Sequence, residues 1–594
     1  MTGVRADLGA YSGSVTDSLA RLDRETVVAR IARGDYTVWK PEPTEISNRL
    51  GWLTIADRMT AALPVINDLV TGVRADGYTD ALLLGMGGSS LAPDVFRQTF
   101  GVAPGYLDLA VLDSTDPDAV AGHARRLDPA RTLFIVSTKS GGTVETFSFF
   151  RYFYRWVVRA LGPAAAGRHF VAITDPGSAL VDTATQYAFR ATFLNDPDIG
   201  GRYSALSHFG LVPAALIGAD LPRLLQRAVA MERELDPAAR LGATIGELAA
   251  RGRDKLTFVM SPPVAGFASW VEQLIAESTG KEGKGILPVA GEPLGPPAVY
   301  GGDRVFAYLR LATDGTHDAA IDALRAAGHP ILRVDLTDPY DIGGEFVRWE
   351  MATAVVGWRM GINPFDQPNV ESAKVLARKM VKSYETTGAL PPLPPTARAD
   401  GLTVYAPPGR ATTGAAANAN TAAASTADAT GTVAAPADAT AATAGGSDGI
   451  GALDLVRDFL RGVRPGDYIA LQAWVTPSLE TTAALQRWRV ALRDRLHVAT
   501  TVGYGPRFLH STGQLHKGDG GRGVFIQVVT APPATDVPIP DTADSDASRM
   551  TFGVLKIAQA LGDRQALLDA GRRVLRVDPD HAPDGIARLT GLLP

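Results

Sequence analysis

The sequence predicts an α/β protein built from doubly wound parallel sheets. Short, continuous apolar runs end in Gly, Ser, Thr or Asp and alternate with longer amphipathic stretches of helical period. Strands that are apolar on both faces are typical of parallel sheets covered by helices on both sides. The first runs of this kind are 81–85, 109–113, 133–137 and 170–174.

The same alternation predicts further strands at 256–260, 305–309 and 330–334, and again at 468–471, 524–528 and 574–577. Between about 408 and 448, Ala, Thr and Gly dominate, and Val433 is the only large aliphatic side chain. Such a segment buries too little apolar surface to offset the entropy of ordering, so we expect a disordered linker. We therefore expect an N-terminal helical extension at 1–50, a first domain at 51–245, and a second at 246–594 that the linker interrupts.

Composition narrows the class of protein further. The 594 residues include 58 basic and 63 acidic side chains, a formal net charge of −5, so nucleic acid is not an expected partner. The absence of Cys excludes disulfides, thiolate metal ligands and Cys nucleophiles. No stretch reaches 18 uncharged apolar residues and the N-terminal segment has no apolar signal region, so we expect a cytoplasmic protein without a membrane partner.

Two turns that follow predicted strands are rich in Gly and hydroxyl groups. They read GMGGSS at 85–90 and STKSGGT at 137–143. Backbone N–H groups next to glycine, hydroxyls and the start of the following helix together form a cradle for one phosphate. Neither turn matches the nucleotide patterns GxxxxGK[ST] or GxGxxG. The alternative is a pair of tight turns with Ser and Thr helix caps.

A second group of residues could carry acid–base chemistry. Gln273 and Glu277 are four apart and so share one face of a predicted helix. Glu277 lies in the last turn, where the helix dipole disfavours an anion, and such a costly position is typical of a functional carboxylate. Arg202 follows two glycines and could support a developing oxyanion. The alternatives are a solvated helix end and a surface turn with a solvated Arg.

Two further segments offer polar side chains. The stretch NPFDQPNVESAK at 363–374 is a turn that leads into a helix, with Gln367 and Lys374 on one face, although an N-capped helix with a solvated Lys would look the same. His510 and His516 lie in the Gly-rich stretch 504–518. Because no third metal ligand of suitable spacing is near, we expect a general acid or substrate contact there rather than a metal site.

Taken in order, these motifs resemble those of the glucose-6-phosphate isomerase family. The matching segments are GMGGSS (85–90), STKSGGTVET (137–146), GGRYS (200–204), ESTGK (277–281) and NPFDQPNVESAK (363–374). The stretch 504–518 is similar to the isomerase portion of bacterial bifunctional transaldolase/glucose-6-phosphate isomerases. The resemblance implies two sugar-isomerase (SIS) domains, a homodimer, and interconversion of glucose 6-phosphate and fructose 6-phosphate through a cis-enediol, with no metal or other cofactor.

The resemblance also implies roles for individual residues. Glu277 would be the base that moves a proton between C2 and C1, Arg202 would stabilise the enediolate, and Lys374 would assist ring opening. Ser89, Thr138, Lys139, Ser140 and Thr143 would hold the phosphate. The full set of residues expected to bind substrate is Gly88, Ser89, Ser137, Thr138, Lys139, Ser140, Thr143, Gly201, Gln273 and Gln367.

One position departs from the family pattern. The family has a ring-opening His in a G-x-H segment downstream of the base, whereas the matching stretch here, 301–306, contains Arg304. We therefore expect His516 to supply the acid, with His510 as the second candidate. Two alternatives to the isomerase function are a dual phosphoglucose/phosphomannose isomerase and a non-catalytic SIS-domain sensor, which would need the phosphate turns but neither Glu277 nor Lys374.

Overall fold

The computed structural model describes residues 3–406 and 451–592. The linker predicted at about 408–448 lies outside the described residues. Within them, the strands form three large sheets and one two-stranded ribbon. Each of the ten predicted strands overlaps a strand that begins within one residue of the expected start, because runs that are apolar on both faces are indeed buried strands.

The N-terminal segment is only partly helical. It contains strand β1 (Val4–Asp7) and helices α1 (Ser12–Arg24) and α2 (Val27–Ala32). Strand β1 pairs antiparallel with the strand Ile331–Leu336, far along the chain. The expected helical extension therefore also supplies an edge strand to a later sheet.

The first sheet is wholly parallel and carries both predicted phosphate turns. Its order is β3-β2-β4-β5-β6, so the winding reverses between β2 and β4. In doubly wound sheets ligands bind at the carboxyl ends of the strands that flank this reversal. The turns 85–90 and 137–143 begin at those two ends. The strands are β2 (Asp80–Gly85), β3 (Asp108–Leu112), β4 (Thr132–Ser137), β5 (Phe170–Thr174) and β6 (Ala191–Leu194).

Helices of this first region pack on the sheet through aromatic side chains. In helix α6, for example, Phe153 stacks on Phe134 of β4, with ring centroids 5.2 Å apart. The helices are α3 (Ile55–Ala75), α4 (Leu91–Phe100), α5 (Pro117–Arg126), α6 (Val144–Leu161), α7 (Pro163–Ala166), α8 (Ala179–Gln186) and α9 (His208–Leu216).

The second sheet has the order β1-β10-β9-β7-β8, in which β7 to β10 are parallel. Its strands are β7 (Lys255–Met260), β8 (Leu287–Val289), β9 (Arg304–Leu311) and β10 (Ile331–Leu336). The helices are α10 (Leu221–Glu232), α11 (Asp236–Ala250), α12 (Phe267–Thr279), α13 (Asp318–Ala326), α14 (Ile342–Met360) and α15 (Val370–Thr387).

The third sheet has the order β11-β12-β18-β15-β13-β14. Its strands are β11 (Ala397–Ala399), β12 (Leu402–Tyr405), β13 (Tyr468–Trp474), β14 (Ala499–Tyr504), β15 (Gly523–Val529) and β18 (Arg573–Pro579). The ribbon consists of β16 (Pro538–Ile539) and β17 (Met550–Thr551). The helices are α16 (Ala452–Leu460), α17 (Leu479–Leu496), α18 (Gly513–Gly518), α19 (Phe552–Asp569) and α20 (Ala582–Thr590).

These pairings confirm the α/β class and correct the number of sheets. The predicted second unit, 246–594, contains two separate sheets rather than one sheet continued past the linker. The short strands β11 and β12 form antiparallel pairs at one edge of the third sheet, where β12 lies beside β18. Among the described residues, no helix combines the length and hydropathy needed to cross a bilayer.

A pair of Leu→Ala variants tests the packing of side chains against the third sheet. Leu471 in β13 is 1% exposed, whereas Leu479 at the start of α17 is 93% exposed. We expect Leu471→Ala to lower the free energy of unfolding by about 2–5 kcal/mol, since it removes buried contacts and leaves a cavity. Leu479→Ala should change it by less than about 0.5 kcal/mol. Urea unfolding measures both, and equal effects would contradict the packing described for β13.

Candidate active site

The two predicted phosphate turns lie against each other at the winding reversal of the first sheet. The Ser137 hydroxyl donates to the Ser89 carbonyl oxygen over 3.1 Å, which joins the ends of β4 and β2. Across the second turn, the hydroxyls of Thr138 and Thr143 are 3.0 Å apart. Since the Thr143 hydroxyl bonds Thr138 instead of capping helix α6, the first N–H groups of this helix remain for a bound anion.

Lys139 in the second turn is held by two partners. Its ammonium forms an ion pair with Asp175 and donates to the Pro197 carbonyl oxygen over 3.0 Å. The Ser140 hydroxyl accepts from the Gly142 N–H over 3.3 Å and so shapes the same turn. Asp175 follows β5 and lies outside the sequence motifs described above. A phosphate in the turn would share Lys139 with this carboxylate.

Two glycines let other segments reach the first turn. A Cβ on Gly88 would lie 2.0 Å from the Gly201 carbonyl oxygen, so these two backbones touch. Gly87 has a φ of +55° and packs against the backbone of His510, whose carbonyl oxygen would lie 2.7 Å from an added Cβ. Gly201 and Arg202 thereby come next to Ser89 from one side, and the stretch 507–510 from the other.

Helix α12 places Gln273 and Glu277 on one face, as predicted. The Gln273 Nε2 group donates to Glu277 Oε2 over 3.1 Å and to the His510 carbonyl oxygen over 2.7 Å. The Glu277 side chain is 14% exposed, so it is shielded from water but reachable. Gln273 therefore fixes the carboxylate in place. It also connects the carboxylate to the third region of the chain, by which we mean the described residues from 397 onward that carry the third sheet.

Arg202 is buried beside this carboxylate. Its side chain is 2% exposed, and Nη1 lies 3.6 Å from Glu277 Oε1. The alternative of a solvated surface Arg is therefore wrong. Its hydrogen-bond acceptors are Ser278 Oγ (2.8 Å), Gln367 Oε1 (2.9 Å), and the carbonyl oxygens of Pro364 (2.8 Å) and Asp366 (3.0 Å).

His510 comes from the third region and reaches the site through Glu145. Its Nε2 atom lies 2.9 Å from Glu145 Oε1, which also accepts from Gln559 over 2.7 Å. Gln559 accepts in turn from the Thr115 hydroxyl over 2.9 Å. Burial raises the pKa of Glu145, but the adjacent His510 more than offsets this, so the pKa lies below its ordinary value.

The expectation that His516 supplies the acid is corrected. His516 is 2% exposed and packs on Phe525, with ring centroids 4.9 Å apart. Its Nδ1 atom lies 3.4 Å from Gln472 Nε2 in the interior of the third region. Burial lowers the pKa of His516 well below its ordinary value, so the ring is neutral. His510, the second candidate, is the histidine that contacts the other site residues.

Arg304, which replaces the family histidine, has a structural role. It is fully buried and pairs with Glu292 at 3.1 Å, and it also donates to the Thr257 hydroxyl over 2.8 Å. A guanidinium enclosed in this way is not placed to open a sugar ring.

Of the remaining predicted residues, Gln367 joins the site through Arg202, whereas Lys374 lies at its border. The Lys374 side chain is 46% exposed and its ammonium is 4.0 Å from Glu371. It is close enough to Glu145 to contribute to lowering the pKa of that carboxyl.

Lys281, in the ESTGK motif, is buried and pairs with Asp366 at 2.7 Å, which fixes the backbone that Arg202 contacts.

Sequence reasoning left Glu145 and Gln559 without a role. Glu145 lies inside the motif STKSGGTVET, and its position just after the phosphate turn was the signal that could have identified it. Gln559 in α19 lies outside all of the sequence motifs described above. Within 3–406 and 451–592, no cluster of three His, Asp or Glu side chains is arranged to hold a metal ion.

The fold is that of an α/β enzyme of the sugar-phosphate isomerase class, and its candidate site sets two turns rich in Gly and hydroxyl groups beside a carboxylate and a buried guanidinium. The phosphoglucose isomerase family profile matches residues 60–246. A glucose-6-phosphate isomerase from Rubrobacter xylanophilus is 31% identical over 355 residues, which cover 51% of this chain and 82% of the relative. One from Geobacter sp. is 29% identical over 387 residues, covering 55% and 72%.

Solved structures share the α/β fold. A hypothetical protein from Thermus thermophilus superimposes with a TM-score of 0.53 at 26% identity, covering 64% of this chain and 99% of that one. A glucose-6-phosphate isomerase from Chlamydia trachomatis has the same fold, with a TM-score of 0.54 at 20% identity, covering 64% and 89%. This chain belongs to the glucose-6-phosphate isomerase family.

Two Gly→Ala variants test the contact between the first phosphate turn and the Arg202 segment. Gly88→Ala would drive a methyl group into the Gly201 backbone, so we expect a loss of about 1–3 kcal/mol in unfolding free energy and at least about a tenfold lower kcat/KM. Gly13→Ala places its methyl group in open space at the start of α1 and should leave both values near wild type. Activity and thermal unfolding are measured side by side. Unchanged kcat/KM in Gly88→Ala would contradict the close approach.

Proposed function

We propose that this chain interconverts D-glucose 6-phosphate and D-fructose 6-phosphate through a cis-enediol intermediate. The observation that carries the proposal is the position of Glu277. It is held by Gln273, lies 3.6 Å from the buried Arg202, and belongs to a site that also contains the phosphate turns. Aldose–ketose isomerisation needs a base, a cation for the developing oxyanion, and an anchor for the substrate.

The phosphate is bound first and provides the anchor. The turns at 88–89 and 137–143 offer hydroxyls, the Lys139 ammonium and the N-terminus of α6. Binding energy from this remote group holds the sugar in register for the chemical step. Competition between the phosphate and Asp175 for Lys139 would let the turn stay ordered before substrate arrives.

Ring opening moves one proton from the C1 hydroxyl, or from the C2 hydroxyl of fructose 6-phosphate, and delivers one to the ring oxygen. His510 is the acid that this site offers, because Glu145 holds its Nε2 and leaves Nδ1 for a substrate oxygen. Lys374, at the border of the site, assists the same step. This assignment replaces the histidine of the family's G-x-H segment with a residue from a later segment of the chain.

Isomerisation then moves a proton between C2 and C1. The Glu277 carboxylate takes the C2 proton of the open-chain aldose, electron density moves to the C1 oxygen, and Arg202 stabilises the negative charge there. The C1 oxygen gains a proton to give the cis-enediol, the C2 hydroxyl loses its proton, and Glu277 returns its proton to C1, which gives the ketose. Because Arg202 already bonds four acceptors, it acts from a fixed position and costs no reorganisation when the charge develops.

The alternatives are not favoured. A sensor that binds without turnover would need neither Glu277 nor a buried Arg202, yet both are present and in contact distance. No contact in the site favours a dual enzyme that also accepts mannose 6-phosphate. The homodimer, the cytoplasmic location and the lack of a cofactor or membrane partner rest on the sequence resemblance and composition, and they stay predictions.

Replacing the proposed base tests the mechanism. We expect Glu277→Gln to keep the fold and lower kcat by about 10²–10⁴ or more, since the amide cannot accept the proton. Glu480→Gln, on the exposed first turn of α17, is the matched control and should keep wild-type activity. A coupled assay that converts fructose 6-phosphate to glucose 6-phosphate measures both. Full activity of Glu277→Gln would rule out Glu277 as the base.

The two histidines of the stretch 504–518 form a second matched pair. His510→Ala should slow turnover of the cyclic hexose phosphate about 10²-fold or more. It should have a much smaller effect on a sugar phosphate that is too short to form a ring, measured as exchange of the C2 proton with solvent. His516→Ala should lower thermal stability instead, because its ring is packed in the interior. Equal loss on both substrates in His510→Ala would contradict its role in ring opening.

A further inference from the structure

A cavity of about 310 Å³ lies between helices α4, α12 and α17 and the end of β14. It is separate from the phosphate turns. Glu272 in its wall is the neighbour of Gln273, and side chains of consecutive helical residues leave the axis about 100° apart. Helix α12 therefore presents Gln273 to the active site and Glu272 to this cavity. The polar side chains that line it are Gln98, Ser269, Glu272, Gln486, Arg489, Arg507 and Ser511.

Arg489 places a buried guanidinium in the cavity wall. It is 1% exposed, and its Nε and Nη2 atoms donate to the Thr500 carbonyl oxygen over 3.0 and 2.7 Å. Its Nη1 atom has no hydrogen-bond or ion-pair partner in the part of the chain that the structure describes. Burial lowers the pKa of Arg489 to about 10. Glu292 and Glu272 attract this guanidinium, but neither accepts a hydrogen bond from it. Its Nη1 group can therefore still donate to an incoming anion.

Two carboxylates, Glu292 and Glu272, lie near Arg489 and attract it. Glu292 is already engaged by Arg304 at 3.1 Å and by the Thr500 hydroxyl at 3.0 Å. Arg493, also buried, has its nearer nitrogen 4.0 Å from the same carboxylate. Arg493 is itself paired with Asp494 at 2.7 Å. Of these three guanidinium groups, Arg489 is therefore the one that donates to no carboxylate among the described residues.

The same cavity offers hydrogen-bond acceptors. Glu272 forms no hydrogen bond or ion pair with any described residue, and burial raises its pKa to about 7. The Oε1 atom of Gln486 is also buried without a partner among the described residues. Acceptors of this kind suit the hydroxyl groups of a ligand.

We propose that this cavity binds a small polyol that carries one phosphate or carboxylate group. The anionic group contacts Arg489 Nη1, and the hydroxyls donate to Glu272 and Gln486. A volume of about 310 Å³ is at the small end of ligand sites and fits a three- or four-carbon compound. An occupant would also touch Arg507 and Ser511, which lie on either side of His510.

Thermal unfolding tests the site with defined probes. The background is the double variant Lys139→Ala/Thr143→Val, so that the phosphate turns do not contribute to binding. We expect 20 mM glycerol 3-phosphate or glycerate to raise its Tm by about 1–3 °C above a sodium chloride control of equal ionic strength. The two probes separate the phosphate from the carboxylate source of the anion.

Variants of the cavity wall decide where the probe binds. Ser269→Phe, which fills the cavity, should abolish the shift in the same background, whereas Ser12→Phe on the exposed start of α1 should keep it. Arg489→Gln should also abolish it, and Ser269→Phe keeps the test decisive if Arg489→Gln does not fold. No shift with either probe in the background variant, or the same shift in Ser269→Phe, would overturn the proposal.

Discussion

A buried guanidinium must be surrounded by acceptors, and the requirement at Arg202 organises the whole site. Its four hydrogen bonds reach the end of α12 and the stretch 364–367, which are far apart in sequence. Leaving such a charge without partners costs several kcal/mol. The segments that carry Glu277 and Gln367 are therefore held at fixed distances from the Gly200–Gly201 turn, which in turn touches the first phosphate turn at Gly88.

The third region completes this arrangement. Gln273 bonds both Glu277 and the His510 carbonyl oxygen, and His510 bonds Glu145 behind the phosphate turn. Each of these groups is buried or half-buried, so every hydrogen bond removes an otherwise unpaired polar atom. The candidate site thus combines residues from the turns and helices that accompany all three sheets. In the proposed mechanism, the phosphate turns alone would lack an acid.

The strands could be predicted from sequence because their apolar runs indicate burial directly. Which strands pair with each other in a sheet could not be predicted in this way. Strand β13 continues no earlier sheet, and the only local sign is the pair of short strands β11 and β12, each too brief to show a period. Likewise, the sequence locates Glu277, Gln273 and Arg202 through spacing and helix position. It does not give the burial of Arg202, which arises from contacts with residues more than 70 positions away.

The histidines show the same limit most clearly, and they also explain the departure at Arg304. His510 and His516 share one Gly-rich stretch, and no property of that stretch distinguishes them. A 3₁₀ turn at 507–510 points His510 toward Glu145, while α18 turns His516 into the interior. At 304 the chain has an arginine whose partner Glu292 lies inside the protein, so an imidazole at 304 would leave that carboxylate with one bond fewer in a dry environment. The proposed mechanism therefore takes its acid from a different segment. His510 is the histidine that the described structure brings to the site, in contact with a carboxylate that can orient it.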